Sequence, residues 1–140
     1  MRMSRDEALF ANAEIWAERS TCDRLHVGCV IHRNGRTLVT GYNGAPPGMS
    51  HCPPNHSPDD CLAVHAEQNA IAFAARWGVE LEGAAIVVTH QPCLSCARLV
   101  ISSGLISVTY KHPYRLIDGL LLLEAAGITV TRITPVDRIA

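Results

Sequence analysis

Leu9, Ala13, Trp16 and Ala17 recur at helical spacing behind Ser4-Arg5-Asp6-Glu7, a capping-box pattern, and predict a first helix running to about Arg19. Two apolar runs follow, Val27-Gly28-Cys29-Val30-Ile31 and Leu38-Val39-Thr40. The Asn34-Gly35 between them is a strong hairpin signal, so both read as strands. Residues 43–61 break the pattern. They are rich in Pro, Gly, His and Asp and read as a loop, whose length is uncommon in a compact domain unless the loop is functional or tied down. An alanine-rich stretch from His65 to Trp77 then reads as a helix stopped by Gly78. Ala85 to Thr89 is a strand, and Pro92 opens a short helix to Ser103-Gly104. Ile106 to Tyr110 is a strand, Leu116 to Ala126 a helix ended by Gly127, and Ile128 to Ile133 a last strand. The order αββαβαβαβ predicts an α/β fold with five strands in one sheet and helices on both faces.

The chain has 140 residues, enough for one domain that buries about 68–70% of its unfolded surface. Residues 1–140 read as a single domain without internal repeats. Net charge is −1, and Lys111 is the lone lysine among the 12 basic residues. Without a basic run, the sequence argues against a nucleic-acid polymer as substrate, but leaves room for a few Arg or His around one phosphate. No apolar stretch approaches 18 residues, and the N-terminus lacks the apolar core of a signal peptide. A cytoplasmic protein without a membrane partner is expected, and six Cys in that compartment read as ligands or buried thiols.

The chemistry concentrates in His65-Ala66-Glu67 and Pro92-Cys93-Leu94-Ser95-Cys96. Cys93 and Cys96, three positions apart, share one face of a helix start, where the helix N-terminus favours thiolate over thiol. With His65 they make a three-ligand N/S set for Zn2+, which leaves a position open for water, unlike a closed structural site. Glu67 is free to carry protons. H-x-E…P-C-x-x-C is the signature of zinc deaminases acting on cytosine or adenine.

Around these motifs the chain resembles the deoxycytidylate (dCMP) deaminase family of the cytidine deaminase superfamily, from about Thr21 to Ile128. The resemblance includes Thr21-Cys22, Val27-Gly28-Cys29-Val30-Ile31 and Gly41-Tyr42-Asn43-Gly44-Ala45-Pro46. It implies a cytidine deaminase-like three-layer α/β/α sandwich with a five-stranded mixed sheet. The implied reaction is zinc-dependent hydrolysis of dCMP to dUMP and ammonia, feeding thymidylate synthesis. A homo-oligomer is implied too, with a hexamer favoured, and dCTP or dTTP are possible effectors. By the same resemblance Asn43 meets the deoxyribose 3′-hydroxyl and the Ala66 backbone N–H meets the base. Arg24, His26, Tyr114 and Arg115 fall in segments that look like the family's phosphate-facing ones.

Of the remaining cysteines, Cys29 reads as a small buried hydrophobe. Cys22, Cys52 and Cys61 fall in loops near His51 and His56. The long loop has little apolar content of its own, and a second, structural zinc would order it. Its expected ligands are Cys22, Cys52, His56 and Cys61, with His51 the substitute for His56. Competing readings are a deaminase of another small cytosine nucleotide, nucleoside or 5-substituted cytosine, and a tRNA adenosine deaminase. From a different class comes a catalytically silent zinc-binding regulator, against which the intact Glu67 argues.

Overall fold

The structure, a computed structural model, describes residues 1–134. Helix α1 spans Arg5–Ala17, and its capping box forms as the sequence predicts. Ser4 Oγ accepts from the Glu7 N–H at 3.1 Å, and the Glu7 carboxylate accepts from the Ser4 N–H at 2.6 Å. Strands β1 (Gly28–Arg33) and β2 (Arg36–Tyr42) form an antiparallel hairpin. Its two turn residues, Asn34 and Gly35, both have positive φ, at 51° and 80°. That is the primed geometry matching strand twist, which Asn-Gly adopts with little strain.

The remaining elements are α2 (Ala66–Trp77), β3 (Ala85–His90), α3 (Leu94–Ser102), β4 (Ser107–His112), α4 (Asp118–Ala125) and β5 (Thr129–Arg132). The sheet order is β2-β1-β3-β4-β5, with β1 antiparallel to both neighbours and β3, β4 and β5 parallel. The sheet is therefore mixed and five-stranded, as expected. The long loop keeps one short 3-10 turn, Pro58–Asp60, and one bridge between Gly44 and Val64. Helix α3 begins later than its sequence suggested. Pro92 lies outside it and Cys93 is its N-cap, with an extended backbone (φ −75°, ψ 172°).

Alternation along the central strands sorts the core onto two faces. Val30 and Val87 point to α1 and meet Leu9, Phe10 and Ala13. Cys29, Ile31, Ile86, Val88 and Val108 point the other way. There they pack on Ala66, Ala70 and Ala74 of α2, Ala97 and Val100 of α3, and Leu123 of α4. This is the three-layer α/β/α arrangement.

The small residues let helices lie directly on strand backbone. A Cβ at Gly28 would stand 2.0 Å from the Ala13 carbonyl oxygen in α1, and one at Gly41 would stand 2.3 Å from the Ala66 carbonyl oxygen in α2. Cys29, fully buried, donates its thiol to that same Ala66 carbonyl at 3.3 Å. Burial pushes the Cys29 thiol well above its ordinary range, so it acts as the small neutral residue the sequence suggested. Gly28→Ala should force α1 off the sheet and destabilise the protein by about 1–3 kcal/mol, the usual range for overpacking. Denaturant titration checks this, and a midpoint equal to wild type would contradict the close approach.

Candidate active site

Helices α2 and α3 begin at the same place. His65 is the N-cap of α2 and Cys93 the N-cap of α3, so neither sits within a helix proper. Gln68 ties the two ends together. Its Oε1 accepts from the His65 N–H at 2.9 Å and its Nε2 donates to Ser95 Oγ at 3.3 Å. The unpaired N–H groups and partial positive charge of both helix ends therefore converge on one point, which favours thiolates there.

His65 Nδ1 lies 3.3 Å from Cys96 Sγ and 3.5 Å from Cys93 Sγ, and the three ligand atoms lie within 4.8 Å of one another. Tetrahedral zinc, with Zn–S near 2.3 Å and Zn–N near 2.0–2.1 Å, sets its S and N ligands about 3.5 Å apart. The donor set fits that ion. The Cys93 thiol is lowered to about 4, first by its hydrogen bond with Cys96 and then by that with His65. Cys96 is pushed well above its ordinary range, first by its hydrogen bond to Cys93 and then by burial. His65 is raised, chiefly by its hydrogen bond with Cys93. Glu67, in the first turn of α2, is 4% exposed, and burial is the main cause raising its carboxyl above the ordinary range. A buried carboxyl with an elevated pKa beside a metal donor set is suited to exchanging protons near neutral pH.

These residues open into a cavity of about 390 Å³, lined among others by Leu25, Val27, Asn43, Ala66, Glu67 and Tyr114. Asn43 is buried, and its amide organises the 25–27 segment. Oδ1 accepts from the Val27 N–H at 2.8 Å, and Nδ2 donates to the Leu25 carbonyl at 2.7 Å. One lone pair and one N–H of that amide remain for a ligand. Of the four residues expected near a phosphate, Tyr114 lines the cavity, and Arg24, His26 and Arg115 do not. Arg24 instead donates to the His56 carbonyl and so grips the long loop. Two lining residues carried no signal in the sequence, His90 and Gln91. The Thr89 hydroxyl accepts from the Gly28 N–H at 3.1 Å and pairs with His90 Nδ1 at 2.8 Å. With the hydroxyl donating, a neutral His90 carries its proton on Nε2. Burial, then His112, lowers the His90 pKa, which favours the neutral ring. Only the three-dimensional pairing of β1, β3 and β4 makes these roles visible.

The long loop gathers Cys52, His56 and Cys61, with ligand atoms within 4.8 Å of one another. His56 Nδ1 donates to the Pro53 carbonyl at 2.8 Å, and its Nε2 is buried without a partner. An orphaned imidazole lone pair beside two thiols is a metal donor set, and the outward N–H to a carbonyl is the usual support for such a ligand. Cys22 lies outside that cluster and lines the cavity, while His51 lines a different one. That second cavity, about 640 Å³, includes Arg19, Gly41, Tyr42, Gly44, Met49 and His51 and shares no residue with the first. It holds no thiol or carboxylate, whereas His65, Glu67 and Cys93 line the smaller cavity. All six cysteines are free. Among the described residues no helix is long and apolar enough to cross a membrane.

Residues 3–112 match the family model for the cytidine and deoxycytidylate deaminase zinc-binding region. ComE operon protein 2 of Bacillus subtilis is 38% identical over 94% of this chain and 72% of its own length. The deoxycytidylate deaminase of Saccharomyces cerevisiae is 36% identical over 93% of this chain, which spans 45% of the yeast protein. The dCMP deaminase of cyanophage S-TIM5, solved in complex with dCMP and dUMP, superposes with a TM-score of 0.85. It is 31% identical, with 95% of this chain and 99% of that one covered.

His65→Ala, Cys93→Ala and Cys96→Ala should each lower bound zinc by about one ion per chain, because a three-ligand site rarely survives losing a ligand. Elemental analysis of the purified variants measures this. Unchanged metal content in all three would move the site elsewhere.

Proposed function

The chain belongs to the cytidine and deoxycytidylate deaminase family, and from that membership we propose that it converts dCMP and water into dUMP and ammonia, supplying dUMP for thymidylate synthesis. The observation that carries the reading is a buried carboxyl, Glu67, opening into the same cavity as a His-Cys-Cys donor set. His65, Cys93 and Cys96 hold the zinc ion. When bound, the ion supplies the Lewis acidity that makes a water molecule acidic near neutral pH.

Glu67 accepts a proton from the attacking water and delivers it to N3 of the cytosine as the new C4–O bond forms. The same carboxylate then takes the remaining proton from the C4 hydroxyl and passes it to the amino group as the C4–N bond breaks, releasing ammonia and leaving the uracil carbonyl. The Ala66 N–H, on the first residue of α2, donates to the base. Asn43 offers its remaining amide valences to the 3′-hydroxyl, and Tyr114 faces the phosphate end. Arg24, His26 and Arg115 flank that end as sequence neighbours of lining residues, and reach the phosphate from the rim.

A second zinc, held by Cys52, His56 and Cys61, orders the long loop. Cys22, which lines the adjoining cavity, is the fourth ligand in this reading. The wider cavity, walled by Gly41, Tyr42 and Gly44 of the Gly-Tyr-Asn-Gly run, is the place for dCTP or dTTP effectors. Exposed Ile117 and Leu121 on α4, with β2 and β5 as open sheet edges, supply surface for a homo-oligomer, a hexamer in this reading. Residues 1–140 act as one deaminase domain, and free thiols beside zinc suit the cytoplasm.

A panel of dCMP, CMP, deoxycytidine, cytosine and 5-methyl-dCMP, followed by ammonia release, tests the substrate. Preference for dCMP is expected, and turnover of deoxycytidine at an equal kcat/KM would remove the nucleotide from the reading. Glu67→Gln should keep zinc and bind dCMP, yet lose about 10²–10⁴-fold or more in kcat, because the proton carrier is gone and no ligand is. Near-normal turnover would refute the mechanism. Wild type should carry about two zinc ions per chain, and Cys52→Ser about one, with raised KM and lower thermal stability. Mass spectrometry under native conditions reads the stoichiometry, and a single ion in chelator-free wild type would end the second-site assignment.

A further inference from the structure

Three buried polar side chains line the reaction cavity: Glu67, Asn43 and Gln91. Gln91 has no part in the chemistry above, and it stands two residues before Cys93. Its amide reaches across to the connection between β4 and α4. Oε1 accepts from the Tyr114 N–H at 3.0 Å, and Nε2 donates to the Leu116 carbonyl at 2.9 Å. Its own backbone N–H donates to the His112 carbonyl at 2.8 Å. On the far side of the same connection Gly119 packs so closely that a Cβ would stand 2.8 Å from the Pro92 carbonyl oxygen. The segment that carries Pro113 and Tyr114 is thus fastened at both ends to Gln91 and Pro92, the chain leading into Cys93.

We propose that Gln91 is a positioning residue for the substrate, one that sets the Tyr114 wall of the cavity relative to Glu67 and Cys93. The two backbone groups it meets are one donor and one acceptor on either side of Arg115. A side-chain amide presents both complementary atoms on one plane, whereas Leu presents neither and Glu only an acceptor. The consequence falls on binding. Glu67 lies in α2 and His65 and Cys93 cap α2 and α3, so releasing the connection alters how the nucleotide is held and leaves the reacting groups in place. The inference rests on reading this cavity as the nucleotide site.

Gln91→Leu and Gln91→Glu test it, together with Tyr114→Ala alone and combined with Gln91→Leu. Gln91→Leu should raise KM for dCMP about 5-fold, the worth of roughly one net hydrogen bond. It should hold kcat within about 2-fold and keep its catalytic zinc. Gln91→Glu should fall between it and wild type. In the Tyr114→Ala background Gln91→Leu should add little, because residues acting through one another are not additive. Amide hydrogen exchange at Tyr114 should be faster in Gln91→Leu than in wild type. An unchanged Tyr114 exchange rate would overturn the clamp whatever the substrate proves to be. A KM equal to wild type with only a lower melting temperature, additive effects in the double variant, or zinc lost in step with kcat would each overturn it too. Failure of the family reading looks different, namely wild-type protein that releases no ammonia from any cytosine compound while the exchange difference persists.

Discussion

Two helix N-termini aimed at one point are the arrangement on which the rest of the molecule depends. Unpaired N–H groups at a helix start want negative charge, and two starts facing each other double that demand. The chain answers with Cys93 as one N-cap, His65 as the other, and Cys96 one turn into α3. A zinc ion held by these three residues would supply the charge that balances the two sulfurs. Glu67 enters the same field from α2, where burial works against its ionised form and the helix end works for it. The site is thus a set of opposed preferences held close together, the usual condition for groups that must change protonation state during a reaction.

Much of this could be read from the chain, and the parts that could not share a cause. Ser4-Arg5-Asp6-Glu7, Asn34-Gly35 and Gly78 announce their structures because each is a local backbone requirement met by a local side chain. His65, Cys93 and Cys96 were legible because a metal imposes both residue type and spacing. Gln91 and His90 were not legible, since each acts through partners far along the chain: Tyr114 and Leu116 for one, and for the other His112 on the neighbouring strand and Gly28, reached through the adjacent Thr89. Arg24 shows the same limit from the other side. A basic residue near a phosphate-facing segment suggests an anion contact, and nothing local adds that its guanidinium also meets the His56 carbonyl, a pairing set by how the long loop folds back.

That loop does more than cover the site. Cys61 belongs both to the Cys52-His56-Cys61 cluster and to the lining of the reaction cavity. Residues 43–61 offer few apolar side chains to bury, and the backbone they present is held by the Arg24 contact and the Gly44–Val64 bridge. Order on this side of the cavity rests on a few polar contacts, as it does on the Gln91 side, where the amide ties down the connection between β4 and α4.

The contact between Gly41 and the Ala66 carbonyl has a further meaning. At Gly41 helix α2 rests on β2 with no side chain between them to yield, and Ala66 sits between the imidazole and the carboxyl in sequence. The backbone that carries those two groups is thus positioned by peptide packed against peptide at Gly41. Substitutions at the rim, in the loop or on the Tyr114 wall leave that backbone contact untouched. Selectivity and turnover become separable traits, written on different parts of one small sheet.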